Sequence, residues 1–127
     1  TGDNGVIRQQ IAPVNGVDPA TGVGVRVADG MIRTVDLESG AETDLAPVPD
    51  DEVWHEAVVS AASIGGGTVA VAQQFSTSSS RLLAIRPGSA PLLIHQGETP
   101  ISRLSVAPDG RSVVAQLDGD LYRYPMP

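Results

Sequence analysis

The segment Gly67-Thr68-Val69-Ala70-Val71-Ala72-Gln73 returns 43 positions later as Gly110-Arg111-Ser112-Val113-Val114-Ala115-Gln116, with Gly67/Gly110, Val71/Val114, Ala72/Ala115 and Gln73/Gln116 identical. The strand that follows returns as well: Leu82-Leu83-Ala84-Ile85 corresponds to Leu121-Tyr122-Arg123-Tyr124 if Ser76-Thr77-Ser78-Ser79 extends a hairpin. Upstream, Asp29-Gly30-Met31-Ile32-Arg33 is similar to Asp118-Gly119-Asp120-Leu121-Tyr122 at a shift of 89, about two periods. A repeat of this length is one supersecondary unit that cannot bury its apolar face alone, so like units must pack on one another.

The units are built from strands. Val23–Val27 and Met31–Val35 alternate with period two, and short β-branched runs follow at Thr68–Ala72, Leu82–Ile85, Leu92–Ile94, Ser112–Ala115 and Leu121–Tyr124. Each is of strand length and too short for a stable helix. Asp29-Gly30 and Asp118-Gly119 are the pairs that tight hairpins favour, because both central residues need positive φ. Pro108-Asp109-Gly110, Arg86-Pro87-Gly88 and Glu38-Ser39-Gly40 are further turns. The stretch Asp50–Ala62 has an Asp cap and early acids that suit a helix, but the repeat calls for a strand at Ala57–Ser60. A turn or short helical turn at Asp50–Val53 followed by a strand reconciles the two.

Four strands in about 43 residues is the spacing of a propeller blade. Leu104-Ser105-Val106-Ala107-Pro108-Asp109-Gly110-Arg111-Ser112-Val113-Val114-Ala115 followed by Asp118-Gly119-Asp120-Leu121-Tyr122 resembles a blade of the TolB-type (WD40-like) β-propellers. That family has a Ser-Pro-Asp-Gly-like turn and a later Asp-Leu-Tyr. Here Ala107 replaces the serine, and Ile64-Gly65-Gly66-Gly67 keeps only the last glycine of the turn. The resemblance implies an all-β fold of antiparallel four-stranded blades over residues 1–127, with approximate repeats 14–56, 57–99 and 100–127. It also implies an exported protein of actinobacterial type, such as a lipoprotein carrying a propeller, and no catalytic residue in the blade motif itself. Val106, Val113 and Ala115 are expected to face neighbouring blades.

Three blades are fewer than the smallest usual closed ring of four. The chain is therefore expected to belong to a longer propeller, to dimerise to a six-bladed ring or to pair with another chain. A β-sandwich of seven to nine strands fits the same punctuation. Thr1-Gly2-Asp3-Asn4-Gly5 at the start reads as a processed chain or a part of a longer one.

Composition narrows the function. The chain has no cysteine and all eight of its basic residues are arginine, which removes thiol catalysis, disulfide scaffolds, Schiff-base lysines and P-loops. A net charge of −7 makes nucleic acid and anionic membrane surfaces poor partners. No run approaches the length of a membrane-spanning helix, so membrane insertion is not expected. Freedom from cysteine is compatible with an extracytoplasmic, bacterial setting.

The most chemical-looking cluster is Trp54-His55-Glu56. It offers an anchor, a titratable group and an acid, and it is the expected partner-binding site; Trp54 equally suits the gap between two blades. His55-Glu56-Ala57-Val58-Val59 lacks the second histidine of a zincin helix, and His95 is the one other histidine. Asp118-Gly119-Asp120 lacks the further ligands of a calcium loop and reads as a hairpin turn. Asp44 and Asp50-Asp51-Glu52 read as a solvated loop, and Ser76–Ser80 as a polar, flexible hairpin tip. No Gly-x-Ser-x-Gly elbow is present. The expectation is a non-catalytic module that binds a protein or peptide, without cofactor or metal. The alternatives are a propeller accessory domain of a secreted hydrolase and a structural β-sandwich domain.

Overall fold

The computed structural model describes residues 14–49, 54, 57–76 and 78–126. Its regular structure is entirely β, in three antiparallel sheets. Sheet 1 is β1 (Gly16–Asp18), β2 (Val23–Ala28), β3 (Met31–Asp36) and β4 (Glu42–Pro47); sheet 2 is β5 (Val58–Gly65), β6 (Thr68–Ser76), β7 (Ser79–Ile85) and β8 (Leu92–Gly97). Sheet 3 is β9 (Ile101–Val106), β10 (Ser112–Leu117) and β11 (Asp120–Pro125). Within each sheet the strands lie in chain order, and no sheet closes into a barrel. The stretch that suited either a helix or a strand is a strand from Val58 onward; Asp50–Val53 lie outside the described residues.

Turn chemistry fixes the registers. Asp29-Gly30, Gly66-Gly67 and Asp118-Gly119 each have two consecutive positive φ angles, the geometry whose twist matches that of the flanking strands. A second turn type joins β1 to β2 and β3 to β4. Asp18 Oδ1 accepts from Ala20 N at 3.0 Å and Asp36 Oδ1 from Glu38 N at 2.9 Å, while Gly22 N and Gly40 N donate to the carbonyls of Asp18 and Asp36. The sequences Asp18-Pro19-Ala20-Thr21-Gly22 and Asp36-Leu37-Glu38-Ser39-Gly40 thus make the same closed turn. At the β6–β7 hairpin Ser76 and Ser78 are exposed, as in the expected polar tip, but the end of that stretch is not. Ser80 is fully buried, and its hydroxyl donates to the carbonyl of Thr99.

Side-chain alternation sends sheet 2 in both directions. Val69 and Val71 of β6 join Val25, Ile32, Ile64, Leu83 and Ile85 in a core shared with sheet 1. Ala70 and Ala72 join Leu82, Ile101, Val106, Val113 and Ala115 in a second core shared with sheet 3. Val106, Val113 and Ala115 do face the neighbouring sheet.

The sheets meet mainly through their early strands: β1 and β2 pack on β5, and β5 and β6 on β9. Ser60 Oγ donates to the Ile101 carbonyl at 2.8 Å, and Val106 N donates to Ser63 Oγ at 3.1 Å, so two β5 serines bond directly to β9 backbone. Backbones also touch here. A Cβ on Gly16 would lie 2.6 Å from the Ala62 carbonyl oxygen, and one on Gly66 would lie 2.6 Å from Asp109 C and Gly110 N. Only glycine allows either approach.

The 43-position spacing is a mean of two displacements. Ile64 pairs with Val69 and Val106 with Val113. Ile64 and Val106 are 42 apart, whereas Val69 and Val113 are 44 apart, because a two-residue turn joins β5 to β6 and a longer one joins β9 to β10. A one-residue slip reverses the face of every side chain. Val71 therefore points into the core with sheet 1, while its sequence match Val114 points away from sheet 2.

Candidate functional site

The connection from β4 to β5 carries the chain from the outermost strand of sheet 1 to the first strand of sheet 2, and Trp54 lies on it. Its ring is buried, with 6% of the residue exposed. The Arg81 guanidinium carbon lies over that ring at 4.5 Å from the centroid, and Phe75 meets it edge-on at 6.0 Å. A guanidinium face on an indole is an electrostatically favourable pairing. Gln73 completes the group. Its Oε1 accepts from Arg81 Nε at 2.7 Å, and its Nε2 donates to the Pro49 carbonyl at 2.8 Å, fastening the connection to β6 and β7.

Beside this group lies a cleft of about 520 Å³. Val27, Pro47, Val48, Val58 and Val59 give it apolar walls, and Asn15, Asp29 and Gln73 supply polar atoms. The lining thus combines apolar walls with a few polar groups. Val58, 62% exposed, stands at its margin. Asn15 is held in place, because its Oδ1 accepts from Val27 N at 2.8 Å.

Of the expected site residues, Trp54 lines the cleft, while His55 and Glu56 lie outside the described residues. His95 belongs elsewhere: on β8 its ring meets Tyr124 of β11 at 5.1 Å between sheets 2 and 3. Burial there raises the Tyr124 phenol above its ordinary value, with a smaller contribution from the charge of Tyr122. Asp118 is in a hairpin turn, and Asp44 Oδ1 accepts from Arg33 Nε at 2.9 Å; that hydrogen bond, against a smaller opposing desolvation, holds the guanidinium above its ordinary value. Among the described residues, no three His, Asp or Glu side chains converge to hold a metal ion.

Gln73 and Arg81 are the site residues that the sequence reading missed. Gln73 entered it only as a repeat match to Gln116. A polar residue at the end of an apolar run, followed eight positions later by an arginine in the next strand, is the signal that was available.

No family model matches the chain, and neither a curated protein nor a solved structure matches it.

Proposed function

We propose that this chain is a propeller-type array of three blades, without catalysis of its own, that binds a protein or peptide partner in the cleft beside Trp54. The observation that carries the blade reading is the convergence of the sheets at their first strands. Ser63 bonds to Val106, whose counterpart on β5 is Ile64, the next residue. Counterparts in stacked sheets lie about 10 Å apart; contact between near-counterparts supports a reading in which β5 and β9 lie close to a common axis. The partner is an extended apolar segment, matched to the valine and proline walls. Trp54 lines its path, and the reading keeps His55 and Glu56, its neighbours in sequence, as the other contacting residues. The setting is extracytoplasmic.

Among the described residues, one face of sheet 1 and one face of sheet 3 have no other sheet packed on them, although Val35 on that face of sheet 1 is buried. On sheet 1 that face carries Glu42 and Asp44, each paired to an arginine, and on sheet 3 it carries Arg103 and Arg123. In this reading a second copy sets the open face of its sheet 3 on the open face of sheet 1, and the two copies complete a six-bladed ring. Light scattering then gives twice the chain mass; a monomer that stays single at high concentration removes the second copy from the reading.

The binding claim is tested with peptides selected by display on the immobilised chain, re-measured against Val58→Glu. Val58 is exposed, so the substitution leaves the core intact while placing a charge at the cleft margin. The expected result is apolar peptides whose affinity falls at least about tenfold with Val58→Glu, the size of one buried apolar contact. Recovery of no specific peptide, or of peptides indifferent to Val58→Glu, contradicts it.

A further inference from the structure

At the opposite end of the same two sheets lies a second cleft, of about 470 Å³, and we infer that it binds a small primary ammonium ligand with a short apolar body, through the carboxylate of Asp18. The cleft is formed where β1 ends, β2 and β4 begin and the β5–β6 and β7–β8 turns approach. Its floor is apolar, with Val23, Leu45, Ile64 and Val69. Thr21, Thr34 and Thr43 bring hydroxyl groups to its lining.

Asp18 is the anionic group of this cleft. Only 3% of the residue is exposed, and register places it on the face of sheet 1 that looks toward sheet 2, because it pairs with Val23. Among the described residues its carboxylate accepts one hydrogen bond, from Ala20 N to Oδ1. No arginine or histidine lines the cleft, and the other acidic residue of the lining, Asp44, turns its carboxylate to Arg33 on the opposite face of sheet 1. Burying a carboxylate is unfavourable unless a cation or several donors compensate.

The turn itself does not demand this burial. Asp36 closes the same kind of turn while exposed, and it accepts two backbone N–H groups, from Glu38 and Ser39. The more buried aspartate therefore has fewer donors than the exposed one. An ammonium supplies three donors and a positive charge, and its apolar body suits the valine, leucine and isoleucine floor. The chain has no lysine, so no lysine ammonium comes from the chain itself. A metal ion is the poorer fit, since among the described residues no further carboxylate or histidine joins Asp18 in the cleft.

The test is an NMR titration of the whole chain with n-butylammonium chloride, using n-butanol as the neutral probe of the same shape. Asp18→Asn keeps the turn, because the amide oxygen still accepts from Ala20 N, but removes the charge. Asp36→Asn is the matched control. The expected result is saturable shifts at Asp18, Thr34 and Thr43 with the ammonium, binding at least about tenfold weaker for butanol, a similar loss in Asp18→Asn and none in Asp36→Asn. Equal binding of the two probes, undiminished binding by Asp18→Asn, or no saturable shift in the parent chain overturns the inference. If Asp18→Asn does not fold, the ammonium-against-butanol comparison in the parent chain still decides.

Discussion

β6 and β10 are counterparts in adjacent sheets, and their burial differs in a way that follows from position. Thr68 to Gln73 of β6 are buried without interruption, whereas in β10 the buried residues Val113, Ala115 and Leu117 alternate with half-buried Val114 and Gln116. Both strands follow a turn and both carry Val and Ala. What separates them is the number of covered faces: sheet 2 has a neighbour on each side, and sheet 3 has one. A strand between two neighbours loses its alternation because neither face is solvated, and a terminal sheet keeps it. The lining of the two cores differs as well. β6 offers valines to sheet 1 and alanines to sheet 3, and the alanine side is where serine side chains bond across to the next backbone.

Truncations on the two sheets sharpen this contrast most. Leu82 of sheet 2 is fully buried, and Leu121 of sheet 3 is 71% exposed. Leu82→Ala is expected to cost about 2–5 kcal/mol in urea denaturation, while Leu121→Ala stays within about 0.5 kcal/mol. Similar losses at both positions contradict the one-sided burial of sheet 3.

Turns give the next largest effect. Gly30 and Gly66 both have positive φ in two-residue hairpin turns. At Gly30 a Cβ would meet nothing within 4 Å, so Gly30→Ala bears only the backbone cost of about 1–2 kcal/mol. At Gly66 the Cβ would run into the backbone of Asp109 and Gly110, so Gly66→Ala is expected to be clearly more destabilising. Equal midpoint shifts for the two variants refute the close approach of sheets 2 and 3 at this turn.

The smallest effect concerns pH. Burial raises the Tyr124 phenol in the folded chain, so its contribution to stability is fully present below the ordinary tyrosine value of about 10 and is lost as pH rises through the folded value. Stability measured between pH 9 and 11 should fall less steeply in Tyr124→Phe than in the parent chain. Parallel profiles would show that the phenol does not report on the packing of sheet 3 against β8.

How far the sequence reveals this structure depends on the kind of signal. Period-two runs such as Val23–Val27 and the Asp-Gly turns were legible because each is local: alternation and positive φ leave a mark within a few residues. The three-residue strand Gly16–Asp18 was not, since its pairing with β2 rather than any propensity makes it a strand. The repeat was legible as a period but not as a register. Matching glycines in turns of unequal length gave 43, and the strands on either side are displaced by 42 and 44. Trp54 stood out as a lone tryptophan, but Arg81 above its ring and Gln73, which holds Arg81, come from two strands, and only the fold brings them together. Asp18 was not singled out; that it is buried in a cleft while Asp36 is exposed is a property of neighbouring sheets, invisible in two turn sequences that share their Asp and Gly.

The radial arrangement of the sheets is the central claim, and pulsed electron resonance between spin labels tests it most directly. The chain has no cysteine, so pairs introduced at exposed positions label cleanly. One pair, Val58→Cys and Ser102→Cys, joins the first strands of sheets 2 and 3; the other, Thr43→Cys and Leu93→Cys, joins the outermost strands of sheets 1 and 2. A radial array predicts a distinctly longer distance for the outer pair than for the inner one. Two similar distances, each that of sheets stacked about 10 Å apart plus the label arms, would contradict it.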